Sequence, residues 1–460
     1  MSKNPENKLT KREKNWILYD VANSAYVLFA CTLLPIFFNT LATEAGISST
    51  DYLAYFSAAG AIATAVSMFA GPFVGAKADL KGKKKPLFLI VVAIASALCL
   101  VCGFAYQWLV FLVVFVLGKI MFNVSLVIYD SMLGDVTTED RLDEVSSHGY
   151  AWGYIGSVIP FIICLVFYVI GSMVLPGKMI AAGKVDIPAG ADAEAIAAIK
   201  DGLSDHYGMI AMSIGFVLTA LWWFFVSMPL YKSYEQVNYI SEEEAKANSN
   251  ILTQLAGSIK EAAKDKKVFW FLIAFFFYID GVYTIIDLAT AYGKSLGLDT
   301  IGLLGALLLT QFVAFPSAIT IGKLSKKYSV ETLIKVCMLA YFCIGVFAIF
   351  LAQLWQFWVL AVAVGLFQGG IQALSRSYFT KIIPSDKSGE LFGLYDVFGK
   401  GATFLGSGVV SIVTKLTGHQ NIGIGALTSF FVIGFFLFLY AQKQPSNKAS
   451  ESAPVEDSAE

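Results

Sequence analysis

Charge is scarce in this sequence. Of 460 residues, 15% are charged and 57% are hydrophobic, where a soluble domain carries roughly 25% charged residues. The apolar residues recur in long runs from end to end, which excludes a soluble enzyme with a single membrane tail. A net charge of −1 leaves no argument for a nucleic-acid partner. Cysteine is sparse too. Cys31, Cys99, Cys102, Cys164, Cys337 and Cys343 all fall inside apolar runs without metal-ligand spacing, so neither disulfides nor a metal site is expected. The chain also lacks a Gly-rich phosphate loop followed by lysine, and it lacks a nucleophile–base motif. The expectation is a protein that is not an enzyme and uses no cofactor. The N-terminus is polar and basic, and the first apolar run lacks a small-residue cleavage site. That run reads as a retained first span, not a signal peptide.

What is present is membrane-spanning sequence. A span needs about 20 apolar residues. Twelve runs qualify, at 16–41, 52–76, 86–105, 108–133, 148–171, 206–229, 268–292, 300–322, 330–352, 355–382, 390–416 and 421–441. Lysine and arginine sort to one side. Lys8, Lys11, Arg12, Lys77, Lys81, Lys83, Lys84, Lys85, Lys232, Lys264, Lys323, Lys381 and Lys443 fall on the side of the N-terminus, against Lys178, Lys184, Lys200 and Lys294 on the other. That bias makes both termini cytoplasmic. The expected organisation is a cytoplasmic N-terminus (1–15), an N-terminal six-helix bundle (16–229) and a C-terminal six-helix bundle (268–441). An outer loop at 172–205 contains an Ala-rich helical piece. A cytoplasmic linker at 230–267 carries an acidic cluster, "SEEEAKANSN", and an amphipathic basic helix at the interface. The tail, 442–460, reads as disordered.

The linker falls between spans six and seven, which prompts a search for a repeat. "GAKADLKGKKK" (Gly75–Lys85) joins spans two and three. "GKLSKKYS" (Gly322–Ser329) joins spans eight and nine, 247 positions later. At an offset of 246, Ser131 matches Ser377, Asp140 matches Asp386, Glu144 matches Glu390 and Gly153 matches Gly399. One offset in corresponding loops argues for two homologous halves, the architecture of secondary carriers with a site near the midplane. The fold class is therefore an all-α membrane protein of two pseudo-symmetric six-helix bundles.

The first loop resembles the major facilitator signature, G-x-x-x-D-x-x-G-[RK]-[RK]. Each part has a physical reason. Gly75 lets a helix end approach its neighbour, and Gly82 permits a tight reversal. Asp79 is expected to accept hydrogen bonds from the N-terminal N–H groups of a neighbouring helix. Lys83 and its basic neighbours are expected to stay cytosolic at anionic headgroups. In the second copy Lys326 stands for Asp79 and Ser329 for Gly82, so that latch should be weaker or differently bonded. Three further segments, "WILYDVANSAY" (Trp16–Tyr26), "EVSSHGYAWGYIGS" (Glu144–Ser157) and the stretch Gly369–Ser407, resemble one major facilitator family. It is the bacterial family related to fungal vacuolar amino-acid effluxers of the autophagy pathway. The similarity runs over nearly the whole membrane portion, with Val21 where the family usually carries Trp. The resemblance implies a proton- or gradient-linked carrier of small solutes, amino acids foremost. It also implies the bacterial inner membrane, a lipid bilayer partner and a monomer. A carrier of amphiphilic or lipid-like molecules, and a sensor or scaffold using the linker, stay open as alternatives.

Charge inside a span normally faces a cavity or a partner. In the resembling fold spans 1, 4, 7 and 10 line the cavity. On span one Tyr19, Asp20, Asn23 and Tyr26 share a face at helical spacing. Span four carries Lys119, Asn123 and, at its inner end, Asp130. Span seven carries Asp280, Tyr283 and Asp287. Span ten ends with Gln372 and Arg376, and span eleven has Asp396 and Lys400 at i, i+4. Solute contact is expected from Tyr19, Asn23, Tyr26, Lys119, Asn123, Asp280, Tyr283, Gln372 and Lys400. Coupling or gating is expected from Asp20, Asp130, Arg376, Asp396 and the signature residues Gly75, Asp79, Gly82 and Lys83. Asp130 and Arg376 are expected to pair when the inner mouth closes. Asp396 with Lys400 reads as an intrahelical bridge or a solute clamp, and Asp287 as a cavity group or one reaching the outer surface.

Overall fold

The structure is a computed structural model that describes residues 8–188, 191–241, 257, 259–260, 262–295 and 300–445. Among these residues, twelve helices are long and apolar enough to cross a membrane. In order they are α1 (Lys11–Glu44), α2 (Ser49–Asp79), α3 (Lys84–Cys102), α4 (Trp108–Ser131), α5 (Leu142–Val169), α6 (Ala193–Ser233), α7 (Lys266–Ser295), α8 (Thr300–Leu324), α9 (Val330–Ile349), α10 (Leu354–Ile382), α11 (Ser388–Thr417) and α12 (Thr428–Gln442). Helices are what hydrocarbon demands, because every backbone N–H and C=O must be satisfied within the segment. Their ends are capped by side chains. Thr10 opens α1 with a capping box, accepting from Glu13 N at 3.2 Å and donating its own N–H to Glu13 Oε2 at 2.6 Å. Asp192 caps α6 through Ala195 N at 2.8 Å.

Two hydrophobic cores form, one within α1–α6 and one within α7–α12. Phe37, Phe38, Phe111 and Phe216 interlock in the first. Phe271, Phe275, Phe379 and Tyr395 stack in the second. Large apolar side chains such as Ile94, Val113, Phe225, Leu339 and Phe436 point outward and exposed, a surface that lipid tails can solvate and water cannot. The halves meet along α2 with α11 and along α5 with α8. These pairings are equivalent under the repeat. Twelve crossings put both chain ends on one face, called the termini face below.

The two polar segments between spans take the following form. The outer segment 172–205 is mainly helix. α5 continues through a π turn (Ile170–Val174) into Leu175–Ala181, and the Ala-rich piece is the first part of α6 itself. Asp192 supplies the cap that lets α6 begin so early. In the linker, α6 runs on to Ser233, residues 234–241 follow as extended chain, and residues 257, 259–260 and 262–264, where the amphipathic helix is expected, are helical. The rest of its acidic cluster and residues 251–256, 258 and 261 of its basic stretch lie outside the described residues, as do residues 1–7 and 446–460.

Candidate gate and solute cavity

Arg376 is the centre of the site. It sits near the end of α10 on the termini face, 2% exposed, with its guanidinium inserted into the N-terminal half. Nη1 donates to Asp130 Oδ1 at 3.0 Å and Nη2 to Asp20 Oδ2 at 3.2 Å. On α5, Ser146 accepts twice, at Oγ from Nε and at its carbonyl from Nη2, both at 3.0 Å. The rings of Trp16 and Tyr150 flank the guanidinium carbon at 4.6 and 4.4 Å. Tyr129 donates its hydroxyl to Asp20 Oδ2 at 2.8 Å. A planar fork with five donors suits two carboxylates, a hydroxyl and a carbonyl at once. The approach requires glycine on α5, because a Cβ at Gly149 would lie 2.2 Å from Asp20 Oδ2. One cation faces two carboxylates here, leaving the buried cluster one negative charge in excess.

Beside it lies the signature loop. Asp79, fully buried, accepts from the N–H groups of Gly389 and Glu390 at 2.8 and 2.9 Å. These are the first free N–H groups of α11, where the helix dipole favours an anion. The Cβ of any residue at Gly75 would sit 2.0 Å from the Gly389 carbonyl, so only glycine allows the contact. Gly82 turns the chain at φ +72°. Lys83 is exposed. Its neighbour Lys84 is the buried cation, 3.2 Å from Asp79, 3.9 Å from Asp135 and donating to Ser388 Oγ at 3.0 Å. The repeat's second copy is bonded differently. Lys326 pairs with Glu144 at 3.0 Å and is half exposed. Lys381 pairs with Asp143 at 2.6 Å. These contacts join the halves across the termini face, so the mouth on that side is shut.

Deeper polar residues divide into two groups. Lys119 on α4, Asp287 on α7 and Cys31 on α1 interact through space, as do Lys119 and Lys400. Tyr283, partly exposed, senses Asp396 and Asp287. These groups share the space between the halves. Asp396 and Lys400 form an ion pair at 2.5 Å along α11. Neither Lys119 nor Asp287 has an ion-pair partner within 4.0 Å among the described residues. Gln372 joins the halves by accepting from Tyr154 Oη at 2.9 Å.

The other expected contacts lie elsewhere. Tyr19 donates to Ser125 Oγ at 2.6 Å and packs on Phe88 and Tyr129. Tyr26 stacks between Phe122 and Trp223. Asn23 donates back to the Tyr19 carbonyl at 2.8 Å, and Asn123 to Ser67 Oγ at 2.9 Å. All four are internal to the N-terminal bundle. The exposed face of α1 in its outer half runs instead through Val27 and Cys31. Asp280, fully buried, accepts from Thr284 Oγ1 at 2.9 Å and leaves Oδ2 without a partner. It faces α11 near Gly406, not Lys119. Sequence reasoning missed Lys84, Asp135, Ser146 and Tyr150. Ser146 and Tyr150 lie in the quoted segment Glu144–Ser157. Nothing local separates Lys84 from the other lysines of its run.

The model of the family described as "Vacuole effluxer Atg22 like" matches residues 195–451. The MFS-type transporter YxiO of Bacillus subtilis is 35% identical over 447 residues, covering 96% of this chain and 98% of that one. Autophagy-related protein 22 of Saccharomyces cerevisiae is 27% identical over 241 residues, 45% of this chain and 46% of its own. Solved structures agree in fold. The fucose:proton symporter of Escherichia coli superposes with a TM-score of 0.64 at 14% identity, covering 94% of this chain and 97% of that one. A bacterial homologue of the iron transporter ferroportin, outward-facing, gives 0.61 at 13% identity, covering 94% and 99%. The protein is an integral membrane transporter of the major facilitator fold, and the chain belongs to the Atg22-like vacuole effluxer family.

Proposed function

We propose that this carrier moves amino acids or related zwitterionic metabolites by alternating access, coupled to protons, across a bacterial inner membrane with its termini face in the cytoplasm. The observation that carries the solute class is the pair Lys119 and Asp287. They come from opposite halves, have opposite signs and lack ion-pair partners among the described residues. A zwitterion offers a carboxylate to one and an ammonium to the other, and binding both draws the halves together. Lys400, Asp396 and Tyr283 border the same space. The termini face is assigned to the cytoplasm by its lysine and arginine excess.

Coupling is assigned to Asp280. A buried, uncompensated carboxylate within a span is costly, and Asp280 has no cation within 4.0 Å among the described residues. The neutral, protonated form suits this state, and a state that wets the α7–α11 contact would release the proton. The excess negative charge at Asp20 and Asp130 makes the gate a second group that a proton would relieve. In proteoliposomes, labelled amino acid should accumulate under an imposed proton gradient and collapse with an uncoupler. Asp280→Asn should lose accumulation but keep counterflow exchange. Accumulation that survives the uncoupler would remove proton coupling. Failure of every amino acid in the counterflow assay would remove the solute class.

A further inference from the structure

α6 ends at Ser233, and the backbone turns extended at Tyr234, with ψ 134°. Residues 234–241 then run across the termini face of the N-terminal half to the α2–α3 turn. Tyr234 is buried and donates its hydroxyl to Asp135 Oδ2. Asn238 donates twice to Asp135 Oδ1, from its backbone N–H at 2.9 Å and its side chain at 2.7 Å. Gln236 Nε2 donates to the Ala78 carbonyl at 3.1 Å, and Ile240 N–H to the Asp79 carbonyl at 2.8 Å. Lys81 N–H returns a bond to the Ile240 carbonyl at 3.2 Å, completing a parallel bridge between Leu80 and Ile240.

The last carbonyls of a helix have no partner within it. For α2, those of Ala78 and Asp79 are taken by this segment. Asp79 is thus held from two sides: its carbonyl by Ile240, its carboxylate by the first turn of α11. Asp135 ties the two together, since it is gripped by Tyr234 and Asn238 and lies 3.9 Å from Lys84, which pairs with Asp79. The chain beyond Ser241 leads to α7 in the other half. A pull on that chain would reach this segment first at its Ile240 end.

We propose that residues 234–241 form a strap that holds the α2–α3 turn in its latching shape, and that tension on the linker peels the strap and frees α11. Peeling also releases chain, at most about 3.3–3.6 Å per residue. The device does not depend on which solute or ion is carried.

Hydrogen exchange in the full-length protein tests it, because the Gly389 and Glu390 amides exchange only when Asp79 lets go. Asp79→Asn sets the reference for an open latch. Tyr234→Phe combined with Asn238→Ala should raise exchange in the first turn of α11 toward that reference, by about tenfold, as expected when local opening becomes easier. Wild-type exchange there would overturn the proposal. A second arm covers misfolding of that variant. Leu80→Cys with Ile240→Cys, in a background with exposed Cys31 and Cys343 changed to serine, joins bridge partners within disulfide reach. The oxidised form should exchange more slowly at the first turn of α11 than its reduced form. Equal rates would overturn the proposal.

Discussion

At the residue scale, Arg376 ties α10 to the N-terminal half on the termini face. Its fork reaches Asp130, Asp20 and both oxygens of Ser146. An ammonium at this position is a point charge on a flexible stem and cannot span them together. Arg376→Lys should therefore depress transport while leaving the protein folded. Arg376→Ala should do more, because the buried Asp20 and the half-buried Asp130 are left uncompensated. Breaking a buried pair in this way costs about 3–5 kcal/mol, read as lower thermal stability in detergent. Asp20→Asn added to Arg376→Ala should recover part of that stability. If it recovers none, Asp20 is not held by Arg376. Both the Arg376 and Asp130 positions were legible in the sequence, because an arginine and an aspartate at one repeat offset inside spans ask for partners. Ser146 was not, since a serine is common enough in helices to carry no signal.

At the element scale, the two copies of the signature loop latch unequally. Asp79 binds two N–H groups at a helix terminus while fully buried, and hydrogen bonds to a charged acceptor contribute about 1.5–3 kcal/mol each. Lys326 meets the buried Glu144 from a half-exposed position, and solvent on the lysine side weakens such a pair toward the roughly 0–1 kcal/mol typical of exposed ones. Asp79→Asn should open the mouth on the termini face far more often than Lys326→Gln. Accessibility of a reporter cysteine at Ser377 to a membrane-impermeant thiol reagent measures this. Equal accessibility in the two variants would show the latches to be equivalent. The inequality was legible as a substitution, lysine for aspartate. Its form was not, because the partner Glu144 lies far along the chain.

At the scale of the whole molecule, the gate pair obeys the repeat yet breaks its symmetry. Asp130 and Arg376 are 246 positions apart, one on each half, and only the C-terminal member is an arginine. A swap, Asp130→Arg with Arg376→Asp, keeps the pair but sets the new carboxylate beside Asp20 and the Ser146 carbonyl. Counterflow exchange should thus recover incompletely in the swapped protein and improve when Asp20→Asn is added. Full recovery by the swap alone would exclude Asp20 from the gate. Lys119 and Asp287 complete the picture deeper in the bundle, without an ion-pair partner among the described residues while the gate is paired.

Sequence by itself determined the twelve spans, the two halves and the position of the first latch. Each rests on local or periodic information: an apolar run of sufficient length, a constant offset, a glycine and an aspartate at fixed spacing. Tertiary structure alone decided which face of each helix meets what. On α1 Tyr19 and Tyr26, expected from the sequence to meet solute, pack inside the N-terminal bundle, and Cys31 lies on the exposed face. The physical reason is the bilayer. Lipid tails and a packed core are equally apolar, so the contrast that marks the inner face of a soluble helix is absent. The same limit hid Lys84 among exposed lysines and the strap within a polar linker. Their roles come from partners that only folding brings near.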